Sequence, residues 1–512
     1  MLSDPNEWLE RAARSYPERL FLSTPDGRRY SYAALRAESG RIASALRELG
    51  VEVGDRVAVR VEKSAAAVFL YVACLRLGAA FVPVNTAYSA AEVEYFLRDS
   101  QPRVAVVDPD DQEALGPLGL VDNIVTLGAD GSGTLPELAR RADPEFEPPS
   151  DLDAGSLASI VYTSGTTGRS KGAMLTRGNL ASNATTLADL WRFSGADVLL
   201  HVLPLFHVHG LFAAMNTVLA SGSGMVLMPA KFDATAALRY LSEVTVFMGV
   251  PTHYTRLLQE QGLDRATTAR MRLFVSGSAP LLAETHQEFS RRTGHEILER
   301  YGMTETLMNT SNPYEGARVP GSVGPPLPQI SIRVINTQTG AIETTPDAIG
   351  TLEIKGPNVF CGYWQDEEKT RSEFTADGWF KSGDLGKIDR EGYVHIVGRM
   401  KDLVISGGYN VYPKEVESEL DAIAGVAESA VFGVPHPDFG EGVTAAVVLQ
   451  PGATLSEADM LDSVRSRLAR YKLPKRILLV AELPRNTMGK VQKSVLRAMH
   501  DSLYKIARGR HG

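Results

Sequence analysis

The chain has 512 residues, of which 44% are hydrophobic and 22% are charged, and its formal net charge is −8 at pH 7. This length exceeds the size at which a single hydrophobic core stops growing, so at least two domains are predicted. The ordinary globular composition excludes a fibrous or largely disordered chain. The acidic balance, without a strong cluster of lysine and arginine, argues against nucleic acid as a partner.

Cysteine usage and hydropathy indicate the compartment. The two cysteines, Cys74 and Cys361, lie far apart, which excludes a disulfide framework and fits the reducing cytoplasm. The first residues lack the basic start and apolar run of a signal peptide. No uninterrupted apolar stretch of about 20 residues occurs, so no membrane span is predicted. We therefore expect a cytoplasmic protein, and the sequence is compatible with both a monomer and a homodimer.

The first part of the chain alternates predicted helices with predicted strands. Ala65 to Leu77 is apolar throughout and is predicted to be a helix that ends at Gly78. The other elements are a helix over 32–49 and strands over 57–61, 81–84 and 104–108. A second alternation runs from Leu180 through Leu227 to Phe247. This pattern predicts an α/β fold in which mostly parallel, layered sheets carry helices on both faces.

The composition changes in the last third of the chain. Residues 320–400 are rich in Gly, Pro and Thr and contain short β patterns, which predicts a small antiparallel β subdomain. After Arg399 the pattern predicts a smaller, mobile α+β domain, with helices over 413–420 and 457–468 and strands over 429–434 and 444–449. We therefore predict an N-terminal domain over 1–400 and a C-terminal domain over 401–512.

A glycine- and hydroxyl-rich loop follows the predicted buried strand 159–163. Glycines permit backbone conformations that turn successive N–H groups toward an anion, while hydroxyls and a lysine add donors and positive charge. The spacing is not that of a Walker A loop. The alternative is a plain surface turn, which the position directly after a buried strand disfavours. The predicted triphosphate-binding residues are Thr163, Ser164, Gly165, Thr166, Thr167, Gly168 and Lys171.

This loop resembles the signature of the acyl-adenylate-forming enzymes, which include acyl-CoA synthetases, luciferases and peptide-synthetase adenylation domains. The resemblance spans nearly the whole chain, and further motifs stand in the expected order. They cover residues 203–207 (LPLFH), 276–280 (SGSAP), 301–305 (YGMTE), 379–384 (WFKSGD), 398–402 (GRMKD) and 484–490 (PRNTMGK). The resemblance implies that the chain uses ATP, Mg²⁺ and coenzyme A and activates an acid as its adenylate.

Site residues follow from the resemblance, position by position. It implies Glu305 as the Mg²⁺ ligand, Thr304 on phosphate, Asp384 on the ribose hydroxyls and Arg399 on the ribose or phosphate. Lys490 would bridge the carboxylate of the acid and the α-phosphate, and His207 joins it among the catalytic residues. The remaining implied nucleotide contacts are Gly277, Ser278, Ala279, Glu299, Arg300, Tyr301, Gly302 and Met303. Each of these residues taken alone would more often be structural.

In this family the small C-terminal domain rotates between adenylate formation and thioester formation. Lys401 occupies the hinge position of the 398–402 motif. Gly407 and Gly408 match the loop beside the pantetheine tunnel, where missing side chains allow close approach.

Three segments, residues 250–256, 271–281 and 299–313, resemble the malonyl-CoA synthetases within the family. A guanidinium can bind the second carboxylate of a dicarboxylic acid in a bidentate manner, and the resemblance places Arg256 beside the acid. His207, Ser278 and Met308 are expected to shape the same pocket. The alternative is that Arg256 faces solvent or pairs with Glu260. The sequence thus predicts ligation of malonate, with methylmalonate as a further substrate, to coenzyme A.

Three other functions remain open. The first is an acyl-CoA synthetase for another short, fatty or aryl acid, whose pocket would be apolar where a cation is expected here. The second is an adenylating ligase with a carrier-protein thiol as acceptor; no carrier-domain pattern follows Lys490, which disfavours an assembly-line module. The third is a nucleotide-binding regulatory protein, which the presence of both Glu305 and Lys490 disfavours.

Overall fold

The computed structural model describes residues 4–163, 170–486 and 489–504. The chain forms two units, one of Met1–Ile332 with Ile354–Phe380 and one of Arg333–Glu353 with Lys381–Gly512. The mixed α/β class with a separate C-terminal unit confirms the predicted fold class. The division between residues 400 and 401 stays a prediction. Among the helices that the structure describes, none has the length and apolarity that a bilayer crossing requires.

The described part of the chain contains the following strands and helices, labelled in chain order. The strands are β1 Leu20–Ser23, β2 Arg29–Ser31, β3 Arg56–Arg60, β4 Ala80–Pro83, β5 Val104–Val107, β6 Asn123–Thr126, β7 Leu157–Thr163, β8 Lys171–Thr176, β9 Val198–His201, β10 Gly224–Leu227, β11 Val246–Gly249, β12 Leu273–Ser276, β13 Ile297–Met303, β14 Leu307–Ser311, β15 Ser331–Ile335, β16 Ile342–Glu343, β17 Gly350–Lys355, β18 Gly362–Tyr363, β19 Phe380–Ile388, β20 Val394–Arg399, β21 Val404–Ser406, β22 Tyr409–Val411, β23 Val426–His436, β24 Gly440–Leu449 and β25 Arg476–Leu479. The helices are α1 Pro5–Ser15, α2 Tyr32–Glu48, α3 Ala65–Leu77, α4 Ala90–Ser100, α5 Gln112–Leu115, α6 Thr134–Arg141, α7 Arg177–Leu190, α8 Asn216–Ser221, α9 Ala234–Tyr240, α10 Pro251–Gln259, α11 Ala283–Thr293, α12 Glu367–Glu373, α13 Pro413–Asp421, α14 Glu457–Arg465 and α15 Lys493–Met499.

The first unit contains two large sheets, with strand orders β14-β13-β12-β11-β9-β10-β1-β2 and β18-β8-β7-β4-β3-β5-β6. In the first of these, β13, β12, β11, β9, β10 and β1 run parallel to their neighbours. The carboxyl ends of β9, β11, β12 and β13 therefore meet at one edge. Three of the sequence motifs follow or end these strands, and ligands of α/β sheets gather at such edges.

Helix α3 shows how local sequence determines the elements of this unit. Ser64 accepts a hydrogen bond from the backbone of Ala67 at the start of the helix. Gly78 adopts the left-handed conformation, with φ of 78°, and ends it. Nearly all of its residues are buried, as an apolar face on every side of a helix requires. The predicted bounds are confirmed.

The second unit is built mainly from antiparallel strands. One sheet has the order β16-β15-β17-β19-β20, and the other has the order β22-β21-β24-β23 with β25 paired to β24. The long hairpin of β23 and β24 supports α13 and α14, which bury Val416, Leu420 and Met460 against Val431 and Val443. The segment Arg333–Glu353, expected in the N-terminal domain, belongs to this second unit.

A buried carboxyl group makes the stability of the second unit depend on pH. Asp421, at the end of α13, accepts a hydrogen bond from Ser429 Oγ at 2.6 Å, and burial raises the pKa of its carboxyl to about 6. The native state therefore holds an extra proton between the unfolded pKa of 3.8 and about 6, so stability falls as the pH rises through that range. Above it, the ionised carboxylate costs at most about 3 kcal/mol.

Replacing Asp421 with asparagine is expected to raise the unfolding temperature near neutral pH. The gain should shrink toward about pH 4, where the native carboxyl is already protonated. Calorimetry at the two pH values measures this difference, with Asp438→Asn as the control at an exposed position. An equal change at both pH values would contradict the role of Asp421.

Candidate functional site

The predicted triphosphate loop connects β7, which ends at Thr163, with β8, which begins at Lys171. Both residues stand at the mouth of this antiparallel pair, where they are register partners. The predicted residues Ser164, Gly165, Thr166, Thr167 and Gly168 lie outside the described residues.

The structure brings Lys171 and Glu305 to the same aromatic ring. The ammonium of Lys171 lies 5.7 Å from the ring centroid of Tyr363, and Tyr363 Oη donates to Glu305 Oε1 at 3.1 Å. Burial, together with repulsion from Lys369, lowers the pKa of Lys171. Tyr363 was not among the predicted residues, because it lies in the two-residue strand β18, far downstream of the loop.

The end of β13 packs closely against β14. A Cβ on Gly302 would lie 2.1 Å from the carbonyl oxygen of Leu307, so only glycine fits there. Thr304 and Tyr301 are half-buried beside it, and the Tyr301 hydroxyl lies 3.8 Å from Met303 Sδ. These positions place a hydroxyl and an aromatic ring next to Glu305, which is itself buried.

Glu299 and Met308 have clear packing roles. The buried carboxylate of Glu299 accepts the backbone N–H of Gly321 at 3.1 Å. Met308 is buried on β14, and its carbonyl accepts from Asn183 Nδ2 at 2.8 Å. Their predicted contacts with nucleotide and acid stay predictions.

Arg300 is a buried cation directly beside Gly277. A Cβ on Gly277 would lie 2.4 Å from the guanidinium carbon, so this glycine makes room for the arginine. Only 3% of Arg300 is exposed, and burial lowers its pKa to about 9. Among the described residues, its Nε and Nη2 have no hydrogen-bond partner. A buried charge in this state has its binding capacity available for an anion.

A buried histidine joins this arginine. His209 begins a π-helical turn over His209–Met215, and its Nδ1 lies 3.2 Å from Ser278 Oγ. Burial, followed by the charge of Arg300, lowers the pKa of His209 well below its ordinary value, so the ring is neutral near pH 7. Ser278 has a φ of 70°, unusual for a residue with a side chain and frequent at functional sites. Half-buried Ala279 follows it.

Sequence reasoning selected His207 and Arg256 for this region. The Nδ1 atom of His207 accepts the backbone N–H of His209 at 3.2 Å, which makes His207 a neighbour of the buried histidine. Arg256 lies on α10 with an exposed side chain and lines a surface cleft with Lys231, Phe232 and other residues. Its charge still lowers the pKa of His253, after the larger effect of burial. The buried cation beside Ser278 is Arg300, which had been predicted as a nucleotide contact.

In the second unit, three predicted residues share one electrostatic environment. Asp384 and Arg399 are register partners on β19 and β20, and Arg399 Nε lies 2.6 Å from Asp384 Oδ1. Lys490 stands at the surface but is crowded by its neighbours, and this partial burial lowers the pKa of its ammonium. Repulsion from Arg399 and Lys401 lowers it further, against the attraction of Asp384.

Gly407 and Gly408 form the two-residue turn between β21 and β22. Their φ angles of 59° and 81° are those that a tight hairpin turn demands. Gly407 N donates to the carbonyl of Phe439 at 2.9 Å. Next to the turn, the rings of Tyr409 and Tyr471 stack with centroids 4.8 Å apart. The glycines therefore have a backbone role in addition to any ligand that they approach.

The fold, the loop between β7 and β8 and the residues at the carboxyl edge are those of an adenylate-forming enzyme. The chain belongs to the AMP-binding enzyme family, whose model matches residues 9–364, and the model of the AMP-binding enzyme C-terminal domain matches residues 415–490. It is accordingly an AMP-forming acid–CoA ligase, and ATP and coenzyme A are its co-substrates.

Three relatives describe the neighbourhood of the chain. The crystal structure of ATP-bound MatB from Rhodopseudomonas palustris is 53% identical, covers 98% of this chain and 100% of that chain, and has a TM-score of 0.95. The mitochondrial malonate–CoA ligase ACSF3 of Mus musculus is 38% identical, over 87% of this chain and 82% of its own length. The indoleacetate–CoA ligase of Aromatoleum aromaticum is 35% identical, over 96% of this chain and 98% of its own length. Ligases for different acids thus lie at similar identity, so the acid must be argued from the site.

Proposed function

We propose that the chain ligates malonate to coenzyme A through a malonyl-adenylate, with AMP and pyrophosphate as products. The observation that carries the choice of acid is the buried guanidinium of Arg300, with two nitrogen atoms unpartnered among the described residues, beside Ser278. The names of the malonate–CoA ligases among the relatives support the same acid.

A second carboxylate resolves the energetic problem that this arginine poses. A buried charge without a partner is unfavourable, and a carboxylate that pairs with it in two hydrogen bonds removes much of that cost. Removing one partner of such a pair costs about 2–5 kcal/mol, so acetate and other monocarboxylates should be rejected. A methyl group changes discrimination by only about 1–3 kcal/mol, so methylmalonate is expected as a weaker or comparable substrate.

Arg256 is kept as a second cation for the same acid. Its influence on His253 places it near the histidines of this region, while its side chain is exposed in the cleft. His207, Ser278 and Met308 complete the proposed acid pocket. Neutral His209, absent from the sequence prediction, is added to it because of its contact with Ser278.

In the first step, the carboxylate attacks the α-phosphorus of ATP and pyrophosphate leaves. The loop from Thr163 to Lys171 holds the triphosphate, and Thr304 contacts a phosphate. Glu305 holds Mg²⁺, which takes few protein carboxylates and keeps water and phosphate oxygens as ligands. A single buried carboxylate beside Lys171 fits that preference. Bound Mg²⁺ would neutralise charge on the departing phosphates.

Nucleotide recognition and charge stabilisation involve both units of the chain. Tyr301, with Gly277, Ala279, Gly302 and Met303, is proposed to contact adenine, and the proposed roles of Glu299 and Arg300 are structural and acid-binding. Asp384 accepts hydrogen bonds from the ribose hydroxyls, and Arg399 orients Asp384 through their ion pair. Lys490 acts in the first step only, where it stabilises the charge that develops between the carboxylate and the α-phosphate.

In the second step, the thiol of coenzyme A attacks the adenylate. Lys401 is proposed as the hinge for the rearrangement between the steps, and the turn at Gly407 and Gly408 borders the pantetheine. The exposed, stacked rings of Tyr409 and Tyr471 lie beside this turn and suit an adenine ring. Lys472 and Lys475, above the rings of Tyr471 and Phe439, supply positive charge for the phosphates of coenzyme A.

We also propose a cytoplasmic location, supported by the two widely separated thiols, of which Cys74 is buried and Cys361 is exposed. The assembly proposed is a monomer or a homodimer.

A pyrophosphate-release assay across a panel of acids, with and without coenzyme A, tests the function. Malonate should release pyrophosphate and, with coenzyme A and Mg²⁺, give stoichiometric thioester; acetate, octanoate and benzoate should be poor substrates. A faster reaction with any monocarboxylate would overturn the choice of malonate. Acyl transfer to a carrier-protein thiol in preference to coenzyme A would overturn the choice of acceptor.

A further inference from the structure

The hairpin that carries Lys490 is closed by its own backbone. Asn486 N donates to the carbonyl of Lys490 at 2.9 Å, and Asn486 Oδ1 accepts the N–H of Lys490 at the same distance. Arg485 and Val491 pair in antiparallel fashion at its base. The position of the Lys490 ammonium therefore depends on the contacts that hold this hairpin on the rest of the unit.

Arg485 makes one of these contacts. Its Nη2 donates to the carboxylate of Glu428 on β23, and its Nη1 donates to the carbonyl of Gly489 at 2.6 Å. Gly489 directly precedes Lys490. One guanidinium thus connects a carboxylate on the sheet to the peptide group that leads into Lys490.

The chain after Lys490 is attached in the same way. Lys493 Nζ lies 2.5 Å from Glu417 Oε1, and this oxygen also accepts the N–H of Val431 at 2.8 Å. Glu417 is buried on α13. Both sides of the hairpin are therefore joined to carboxylates of the second unit.

We propose that Arg485, held by Glu428, is a positioning residue that fixes Lys490 for adenylate formation; this inference rests on the proposed role of Lys490. Magnitudes separate it from a purely structural role. A partly exposed ion pair contributes at most about 1 kcal/mol to stability. A displacement of about 1 Å at a reacting group can cost about 100-fold in rate. Loss of Arg485 should therefore affect the rate far more than the fold.

Replacing Arg485 with methionine is expected to lower kcat of adenylate formation by about 10- to 100-fold, with KM for ATP and malonate nearly unchanged. Pyrophosphate release without coenzyme A measures this step. The reaction of supplied malonyl-adenylate with coenzyme A should keep its wild-type rate. Arg485→Lys should be intermediate, because a single ammonium cannot reproduce the two directed contacts of the guanidinium.

A charge swap distinguishes positioning from ion pairing. Arg485→Glu combined with Glu428→Arg restores a pair of opposite charges but leaves residue 485 unable to donate to the Gly489 carbonyl. The swap is expected to recover the unfolding temperature and to remain slow in adenylate formation. Recovery of the wild-type rate by the swap would show that the contact with Gly489 is irrelevant and would overturn the proposal.

Arg467 offers a matched control in the same unit. It pairs with Glu419 at 3.1 Å and also donates to the carbonyl of Glu419, with an exposure similar to that of Arg485. Arg467→Met should keep both half-reactions at wild-type rates. Wild-type adenylation in Arg485→Met, or equal slowing of both half-reactions, would overturn the positioning role.

Lys490→Ala serves as the reference for the underlying function. If it forms adenylate normally, the proposed role of Lys490 itself is wrong. If it is slow while Arg485→Met is normal, only the positioning inference is wrong. Should Arg485→Met be poorly folded, Glu428→Gln replaces it; it is expected to show the same step-specific loss, and its absence would overturn the proposal.

Discussion

Replacing Lys490 with alanine is expected to slow adenylate formation by up to about three orders of magnitude. Two unit charges about 4 Å apart interact by about 4 kcal/mol at an effective dielectric constant of 20, and each 1.4 kcal/mol is about tenfold in rate. The proximity of Asp384, Arg399 and Lys401, seen in their effects on the Lys490 pKa, supports a place for this ammonium at the nucleotide. Single-turnover pyrophosphate release measures the step.

The control for Lys490 is Lys387→Ala, which removes an ammonium paired with Asp347 in the same unit and should leave the rate unchanged. Formation of malonyl-CoA from supplied malonyl-adenylate should survive in Lys490→Ala. Retention of the overall rate in that variant, or loss of both half-reactions to the same extent, would contradict a role limited to the first step.

Replacing Arg300 with methionine is expected to reduce kcat/KM for malonate by about 30-fold or more, the lower limit for loss of one partner of a buried charge pair. ATP binding should be retained. Butyrate, which lacks the second carboxylate, should become a better substrate than in the wild type. The variant should be at least as stable as the wild type, because it removes a buried, underpaired charge.

Arg256→Ala, measured in parallel, separates the two candidate cations. If Arg256 also binds the distal carboxylate, malonate turnover should collapse in that variant while ATP binding is retained. Arg239→Met is the control, since Arg239 lines the same surface cleft and has no proposed role. Unchanged malonate kinetics in both Arg300→Met and Arg256→Ala would remove the argument for a dicarboxylic acid.

Local patterns in the sequence predicted much of the fold. Helix α3 was predicted with its bounds because Ser64, thirteen apolar-leaning residues and Gly78 specify start, burial and end within one segment. Strands β15 and β17 were likewise predicted with their bounds. The membership of Arg333–Glu353 in the second unit was missed, since it depends on pairing between strands that are distant in the chain.

The site was predicted unevenly for the same reason. The loop at Thr163, the 301–305 motif and Lys490 were selected because their residue types stand together in short motifs. Tyr363, His209 and the pairing of Arg485 with Glu428 were not, because each acts across the fold on a residue far away in sequence. Arg300 was selected as a nucleotide contact, and its burial without a partner could not be known from its motif.

The sequence by itself determined the reaction class, because the motifs for triphosphate, metal and adenylate charge are contiguous and appear in the family order. The tertiary structure alone decided which cation is buried. Arg256 and Arg300 carry the same charge, and only the packing of β13 against the glycine after β12 removes one of them from water. Desolvation, which depends on every surrounding element, is what turns an arginine into a site for a second carboxylate.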